Sequence, residues 1–266
     1  VLFRVQGNSY STTDICIDNI SFKYTGAFGV RAQKADGLYI TNCEFGWIGG
    51  SLHTENTRYG NGIELWDGQK NVTVENNWFY QIYDSGFTFQ GKGTTDKIYQ
   101  NISCNDNLFE NINTSFEFWH SVSDFTFENI QFNNNISRLV GYGQCDQGEN
   151  KWVPGHIYLD QRDGTGTISN FTIQNNIFDT SRGYMASVWF KTKGKDNNSD
   201  IWENITSEVW ETYGISQNTY YQKRTVNGLV IYVDGAIYAA NQAELEAAIW
   251  LFDSTPKKVV MVGFDS

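Results

Sequence analysis

Three carboxylates, Glu64, Glu117 and Asp160, fall in look-alike segments of the chain, GIELWD (62–67), SFEFWH (115–120) and HIYLDQ (156–161). Each segment alternates apolar with polar residues, the pattern of a strand that buries one face and opens the other. Two carboxyls on such neighbouring strands can divide acid and base work at a glycosidic bond. One protonates the leaving oxygen while the other activates water or attacks the anomeric carbon. The surrounding residue types suit a sugar: Trp66, Trp119 and Tyr158 offer aromatic faces to a pyranose ring, and Gln33, Thr88, Gln90 and His120 offer partners to its hydroxyls.

The elements that must position these groups repeat along the chain. The pattern apolar-x-apolar-x-Asn-x-x-Phe recurs as ICIDNISF (15–22), LYITNCEF (38–45), VTVENNWF (72–79), ISCNDNLF (102–109), FTFENIQF (125–132) and FTIQNNIF (171–178), with IWENIT (201–206) as a degenerate seventh copy. The pivots Asn19, Asn42, Asn76, Asp106, Asn129, Asn175 and Asn204 are spaced by 23, 34, 30, 23, 46 and 29 residues. Short gaps set the unit and long ones hold insertions. A strand broken by an Asn that can adopt the left-handed conformation reads as one coil of a right-handed parallel β-helix. Stacked coils would bury Ile15, Leu38, Val72, Ile102, Phe125 and Phe171 in one column and Ile17, Ile40, Val74, Cys104, Phe127 and Ile173 in the next, with the pivots forming a buried Asn ladder.

Each unit carries a second strand, often introduced by Gly: 29–33, 62–67, 86–91, 115–120, 156–161 and 185–190. Its outward residues fall into two columns: Arg31, Glu64, Thr88, Glu117, Tyr158, Ser187 and Gln33, Trp66, Gln90, Trp119, Asp160, Trp189. Coils about 4.8 Å apart set Glu64 and Glu117 about 9–10 Å apart at the backbone, and Asp160 diagonal to Glu117 at about 7–8 Å. Either pair could supply acid and base, and both the inverting and the retaining outcome stay open. Insertions at 46–61 and 133–155 enter the same face and would wall the groove.

Composition narrows the partners. The chain has 266 residues, 16% aromatics, 25 Gly, only 2 Pro and a net charge of −11. That excess of acid repels phosphate backbones and anionic lipid, so nucleic acid and membrane surfaces are poor partner candidates and a neutral ligand is expected. No apolar run is long enough to span a bilayer. Cys16, Cys43, Cys104 and Cys145 lack metal-ligand spacing, so neither zinc nor a disulfide is expected. Eight Asn-x-Ser/Thr sequons follow from the turn-rich composition, and Asp84 reads as the end of a turn before Gly86. The Val1 start reads as a processed or truncated end, part of a longer chain or of a heteromeric enzyme. Past residue 215 the repeat fades. ANQAELEAAIWLF (240–252) has the spacing of an amphipathic helix, so 1–215 is expected as the β-helix and 216–266 as a cap.

With these repeats in place, the chain resembles the right-handed parallel β-helix superfamily of pectate-lyase-like, carbohydrate-active proteins. The stretch 58–91 resembles β-helix-repeat proteins of gut bacteria. The resemblance implies an all-β solenoid, a secreted or cell-surface location and a carbohydrate partner. Polygalacturonase-type signatures (Asn-Thr-Asp, Asp-Asp, Gly-His-Gly, Arg-Ile-Lys) are absent, so no catalytic residue carries over and fold analogy alone sets no reaction. The residues favour a cofactor-free glycoside hydrolase acting on a neutral glycan. The alternatives are a polysaccharide lyase, which would use Ca²⁺ and a basic side chain such as Arg31, and a glycan-binding module without turnover.

Overall fold

The computed structural model describes residues 1–54, 57–93, 97–122, 125–145, 155–161, 167–182, 184–190, 214–216, 218–226, 229–234, 236–238 and 258–260. They form an all-β structure dominated by one long, mostly parallel sheet system, compatible with a β-helix. Among the described residues no helix is long and apolar enough to cross a membrane. The expected helix at 240–252 and the cap around it lie largely outside the described residues, although Lys258–Val260 is a strand paired with Ala236–Tyr238.

Three parallel ladders run through the sheet. The first joins Phe3–Asp18, Val30–Thr41, Gln69–Glu75, Lys97–Asn105, Phe125–Gln131, Thr167–Gln174 and Ile215–Ser216. The second joins Ser21–Thr25, Glu44–Ile48, Trp78–Gly93, Leu108–Val122, Ile136–Val140, Ile177–Ser181 and Thr219–Val226. The third carries the site and joins Val30–Thr41, Ile63–Trp66, Trp78–Gly93, Leu108–Val122, Gly155–Gln161 and Tyr184–Phe190. In that ladder Arg31, Glu64, Thr88, Glu117, Tyr158 and Ser187 are successive partners, as are Gln33, Trp66, Gln90, Trp119, Asp160 and Trp189. The inward residues Val30, Ile63, Phe87, Phe116 and Ile157 are buried beneath them. Gly introduces these strands because a Cβ on Gly62 would come within 2.6 Å of the Gly86 carbonyl oxygen in the next rung.

The fifth copy of the repeat is shifted from its expected place. Ile102 pairs with Ile130 and Ile130 with Phe171, so the copy is IQFNNNIS (130–137) rather than FTFENIQF. Phe125 and Phe127 instead pair with Lys97 and Tyr99, one segment earlier. Phe132 then lies level with Cys104, and Ser137 takes the position held by Phe109 and Phe178. The aromatic stack Phe22, Phe45, Phe79, Phe109, with centroids 4.7–5.0 Å apart, stops there. The His156 ring packs 5.0 Å from Phe178, and Nδ1 lies 2.6 Å from the Ser137 hydroxyl. Burial pushes this imidazole down to about 3, so it is neutral at ordinary pH. The seventh copy is likewise displaced: IWENIT lies outside the described residues, and Ile215 pairs with Ile173. The parallel ladder therefore runs past the expected boundary at 215, through the pairing of Asp179 with Tyr221.

Two Asn ladders hold this register, and neither is the pivot row. The pivots Asn19, Asn42, Asn76, Asp106, Asn134 and Asn175 do take left-handed backbone, with φ of 54–58°. The buried ladder is one residue further on: Asn77, Asn107, Asn135 and Asn176, continued by the half-buried Asn218. Asn107 Oδ1 accepts from the Asn77 backbone N–H at 2.9 Å, and its Nδ2 donates to the Val74 carbonyl at 2.9 Å. Asn135, Asn176 and Asn218 repeat the pattern. An exposed ladder links Asn71, Asn101, Asn129 and Asn170 through their amides at 2.6–2.9 Å, which is where Asn129 belongs. All four cysteines are free thiols.

The two ladders separate in energy. Asn107→Ala leaves a buried N–H and a buried carbonyl without partners and is expected to lower the unfolding free energy by about 2–4 kcal/mol, whereas Asn101→Ala on the wet ladder costs under about 1 kcal/mol. Urea denaturation of the two variants reads the difference directly.

Candidate active site

The outward face of the third ladder borders a cavity of about 360 Å³. Glu64, Trp66, Gln90, Glu117, Trp119 and Tyr158, all expected from the sequence, line it together. A larger concavity of about 570 Å³ lies along the Asn19–Asn42–Asn76 corner; it is a more open surface trough lined by Glu44, Asp106 and Trp78. Against the push of burial, its Glu44 is held below the usual carboxylate range by hydrogen bonds to Lys23, Tyr80 and Ser21, whereas the smaller cavity holds two carboxyls pushed up by burial, which marks it as the candidate site. The insertion at 46–61 contributes Arg58, Tyr59 and Asn61 to its wall. Tyr59 stacks between Phe28 at 5.5 Å and His53 at 4.1 Å. In the other insertion, Gln144 Nε2 donates to the Ile48 carbonyl at 2.8 Å and the Gln144 backbone N–H donates to Gln81 Oε1 at 2.8 Å, while 146–154 lie outside the described residues.

Glu117 is built to offer one oxygen. Its Oε2 accepts from Ser85 Oγ at 2.7 Å, Thr88 Oγ1 at 2.8 Å and Gln90 Nε2 at 3.0 Å. Three donors on one oxygen leave a proton to sit on Oε1. Burial, then the negative charge of Asp84, pushes this carboxyl up to about 7 against those three hydrogen bonds. Thr88 is therefore not a free sugar ligand: it is fully buried and its hydroxyl serves Glu117.

Glu64 is held at both oxygens. Arg31 Nε lies 2.7 Å from Oε1, a charge contact without good hydrogen-bond alignment, and Asn61 Nδ2 donates to Oε2 at 2.9 Å. The residue is 1% exposed, and burial outweighs the Arg31 charge and the Asn61 bond, so its carboxyl also rises to about 7. Arg31 in turn lies over the Trp66 ring at 4.6 Å and the Phe28 ring at 5.3 Å. One face of Trp66 is thus taken by a guanidinium. Gln33 points its amide to Asp67 Oδ2 at 3.4 Å and is absent from the cavity lining. The side chains of Asp160 and His120 lie outside the described residues. Their backbones sit opposite Trp119 and Gly91.

Asp84 is a cavity-lining acid that sequence reasoning placed only at the end of a turn. It lines the cavity, follows Tyr83 into the corner and donates its backbone N–H to the Gly60 carbonyl at 3.2 Å. Its charge reaches both Glu64 and Glu117. The signal was available in the alignment: Gly60, Asp84 and Asn113 each stand three residues before the inward Ile63, Phe87 and Phe116. One residue further on, Asn61, Ser85 and Thr114 form a second polar row, with the Ser85 N–H on Asn61 Oδ1 at 2.9 Å. Among the described residues no group of three His, Cys, Asp or Glu side chains is arranged to hold a metal ion. Compared with known proteins, the chain matches no family model, no curated protein and no solved structure.

The electrostatics fix two measurable responses. A carboxyl near 7 in the folded chain and near 4.5 when unfolded binds its proton more tightly in the fold, so its contribution to stability is complete below about 4.5 and is lost as pH rises through about 7. The unfolding free energy of the wild type relative to Glu117→Gln is expected to fall by on the order of 3 kcal/mol between those limits, read by urea denaturation across pH. Asp84→Asn removes a repelling charge and is expected to lower the Glu117 midpoint, whereas Thr88→Val removes a donor to the carboxylate and raises it; carboxyl ¹³C NMR titration reads both.

Proposed function

We propose that the chain winds as a right-handed parallel β-helix and acts as a glycoside hydrolase on a neutral glycan, using two carboxyls in the cavity above its third ladder. One observation carries this reading: Glu117, poised near 7, keeps one oxygen for the cavity beside a second acid, Asp84, and the aromatic rings of Trp119 and Tyr158. A group of that strength is protonated often enough to serve as general acid and can take a proton back in the same cycle.

In the proposed reaction the proton on Glu117 passes to the glycosidic oxygen as its bond to the anomeric carbon breaks. A water oxygen takes that carbon's open valence: in the direct route the second carboxylate takes the proton from water and solvent returns one to Glu117, and in the route through a carboxylate-held sugar Glu117 itself takes the proton back. Asp84 is the second carboxylate of this reading, because it borders the cavity and its charge acts on both Glu64 and Glu117. Glu64 then positions Arg31 and adds to the field around the reaction. Asp160 stays a candidate through its place diagonal to Glu117 in the ladder. Trp119 and Tyr158 are the platforms this reading assigns to the sugar ring, and Gln90 a ligand to a hydroxyl.

The test is reducing-sugar release from neutral polysaccharides. Glu117→Gln is expected to lower kcat by about 10²–10⁴-fold with little change in KM, since the lost proton transfer acts in the transition state. Glycan binding without turnover by the wild type would leave a binding module instead. Arg31 favours one second reading, a lyase, because its guanidinium borders the cavity beside Glu64. Unsaturated, ultraviolet-absorbing products would identify it.

A further inference from the structure

The second ladder carries a built feature that the catalytic reading leaves unused. Glu44, Trp78 and Leu108 are partners on its successive rungs. Trp78 is 42% exposed, although indoles usually bury most of their surface. It is nevertheless fixed in place. Its Nε1 donates to Glu110 Oε2 at 2.6 Å, and Glu110 is itself paired with Arg138. The Tyr80 ring stacks on Trp78 with centroids 4.3 Å apart, and the Tyr80 hydroxyl donates to Glu44 Oε1 at 2.7 Å. Glu44 is held in turn by Lys23 at 2.6 Å and by the Ser21 hydroxyl at 2.8 Å. Gly46 makes the arrangement possible: it is the ladder partner of Tyr80, and a Cβ there would come within 2.3 Å of the Tyr80 ring. The missing side chain gives Tyr80 its room, and Tyr80 backs Trp78.

The trough of about 570 Å³ meets Trp78 on the side away from Tyr80, which does not line it. It crosses four successive rungs at Asn19, Asn42, Asn76 and Asp106, about 14 Å at sheet spacing. All four are exposed and share left-handed backbone, with φ of 54–57°, so the corner repeats one side-chain direction from rung to rung. Asn42 gives its amide to Asp18 at 2.7 Å. Among the described residues no hydrogen bond ties the side chains of Asn19, Asn76 or Asp106, which leaves two amides and a carboxylate to meet a ligand.

Charge and shape choose that ligand. Among the described residues no Lys, Arg or His lines the trough, so nothing there offsets an anion, and the net charge of −11 repels one. A protein segment would need a broad apolar floor, whereas the apolar side chains here are one indole, Ile20, Leu108 and the buried Cys43 among amides. An aromatic face beside unengaged amides suits a pyranose, whose apolar face packs on the ring while its hydroxyls meet the polar groups. A ring already immobilised by Tyr80 and Glu110 loses little freedom on binding.

We propose that this trough is a second, non-catalytic binding site for a neutral oligosaccharide, with Trp78 as its platform and Asn19, Asn76 and Asp106 as hydroxyl ligands. The trough's own residues assign it, so it goes beyond the hydrolase reading and does not need it. It lies on the second ladder, whereas the candidate active site lies on the third.

The experiment labels the full chain with 5-fluorotryptophan and follows fluorine NMR spectra as cellohexaose, xylohexaose, mannohexaose or laminarihexaose is added to about 10 mM. The Trp78 signal is identified by its loss in Trp78→Phe. It is expected to move saturably with at least one probe, in the wild type and in Glu117→Gln, where the proposed cleavage is silenced. Asn76→Gly keeps the left-handed backbone accessible and removes the amide, and is expected to weaken that response roughly three- to tenfold. A Trp78 signal unmoved by every probe would overturn the proposal and leave the hydrolase reading to its own test. A response that Asn76→Gly leaves at full affinity would overturn it as well, since the signal would then report binding elsewhere. A dimer on sedimentation that Trp78→Ala disperses would assign the trough to a second copy of the chain and overturn the glycan. A saturable Trp78 response with no sugar released from any probe would support this site and count against the hydrolase.

Discussion

A parallel ladder has a side-chain period of two, so a slip of one residue between any two rungs would turn an acid from the cavity into the apolar interior. Everything at the site depends on that register. It is pinned from several directions at once: by the buried amides of Asn77, Asn107, Asn135 and Asn176 and the half-buried amide of Asn218, by the ring stack from Phe22 to Phe109, and by the Gly29–Gly62–Gly86 column, which admits no Cβ. Each Asn side chain completes backbone groups of neighbouring rungs, so a shifted rung would strand donors and acceptors away from water.

Given the register, chemistry follows from a contest between burial and partners. Glu64 has a cation and an amide and is still pushed up to about 7, because so little of it reaches solvent. Glu117 has three neutral donors on one oxygen and ends at a similar value, with the charge of Asp84 opposing its ionisation. The two differ in what remains to be offered. Both Glu64 oxygens are engaged, by Arg31 and Asn61, while the three hydrogen bonds to Glu117 gather on Oε2 alone. Burial thus prepares both groups, and hydrogen bonding distinguishes their roles.

The outward columns of the third ladder were legible in the sequence to the residue, because alternation is local and every second strand repeats it. The fifth copy was not. FTFENIQF and IQFNNNIS overlap, both satisfy an apolar alternation ending near Asn, and only pairing across the ladder separates them; Phe132 moves level with Cys104 and Ser137 takes the ring position, with His156 filling the space. The Asn ladder was visible as composition but displaced by one, since the pivots supply the left-handed corner and their neighbours supply the buried amides. Asp84 and Asn61 escaped for a related reason. Their place comes from where the chain turns between ladders, and the fixed offset of this corner from the inward residues shows only once the second strands are set one above another. The pairing of Arg31 with Glu64 was implicit in their shared column, yet the stacking of Arg31 on Phe28 and Trp66 required the insertion to be folded over it.

Disulfide trapping tests the register at its centre. With the exposed Cys16 replaced by Ser, the pair Glu64→Cys and Thr88→Cys places two thiols on facing rungs of one wall, within the Cα separation of about 4.4–6.8 Å that a disulfide spans. The pair Glu64→Cys and Phe89→Cys places them on opposite faces. Mild oxidation followed by mass spectrometry is expected to show the cystine in the first variant and free thiols in the second. A cystine between 64 and 89 would mean the strands are offset by one residue, and the cavity with its two poised acids would not exist.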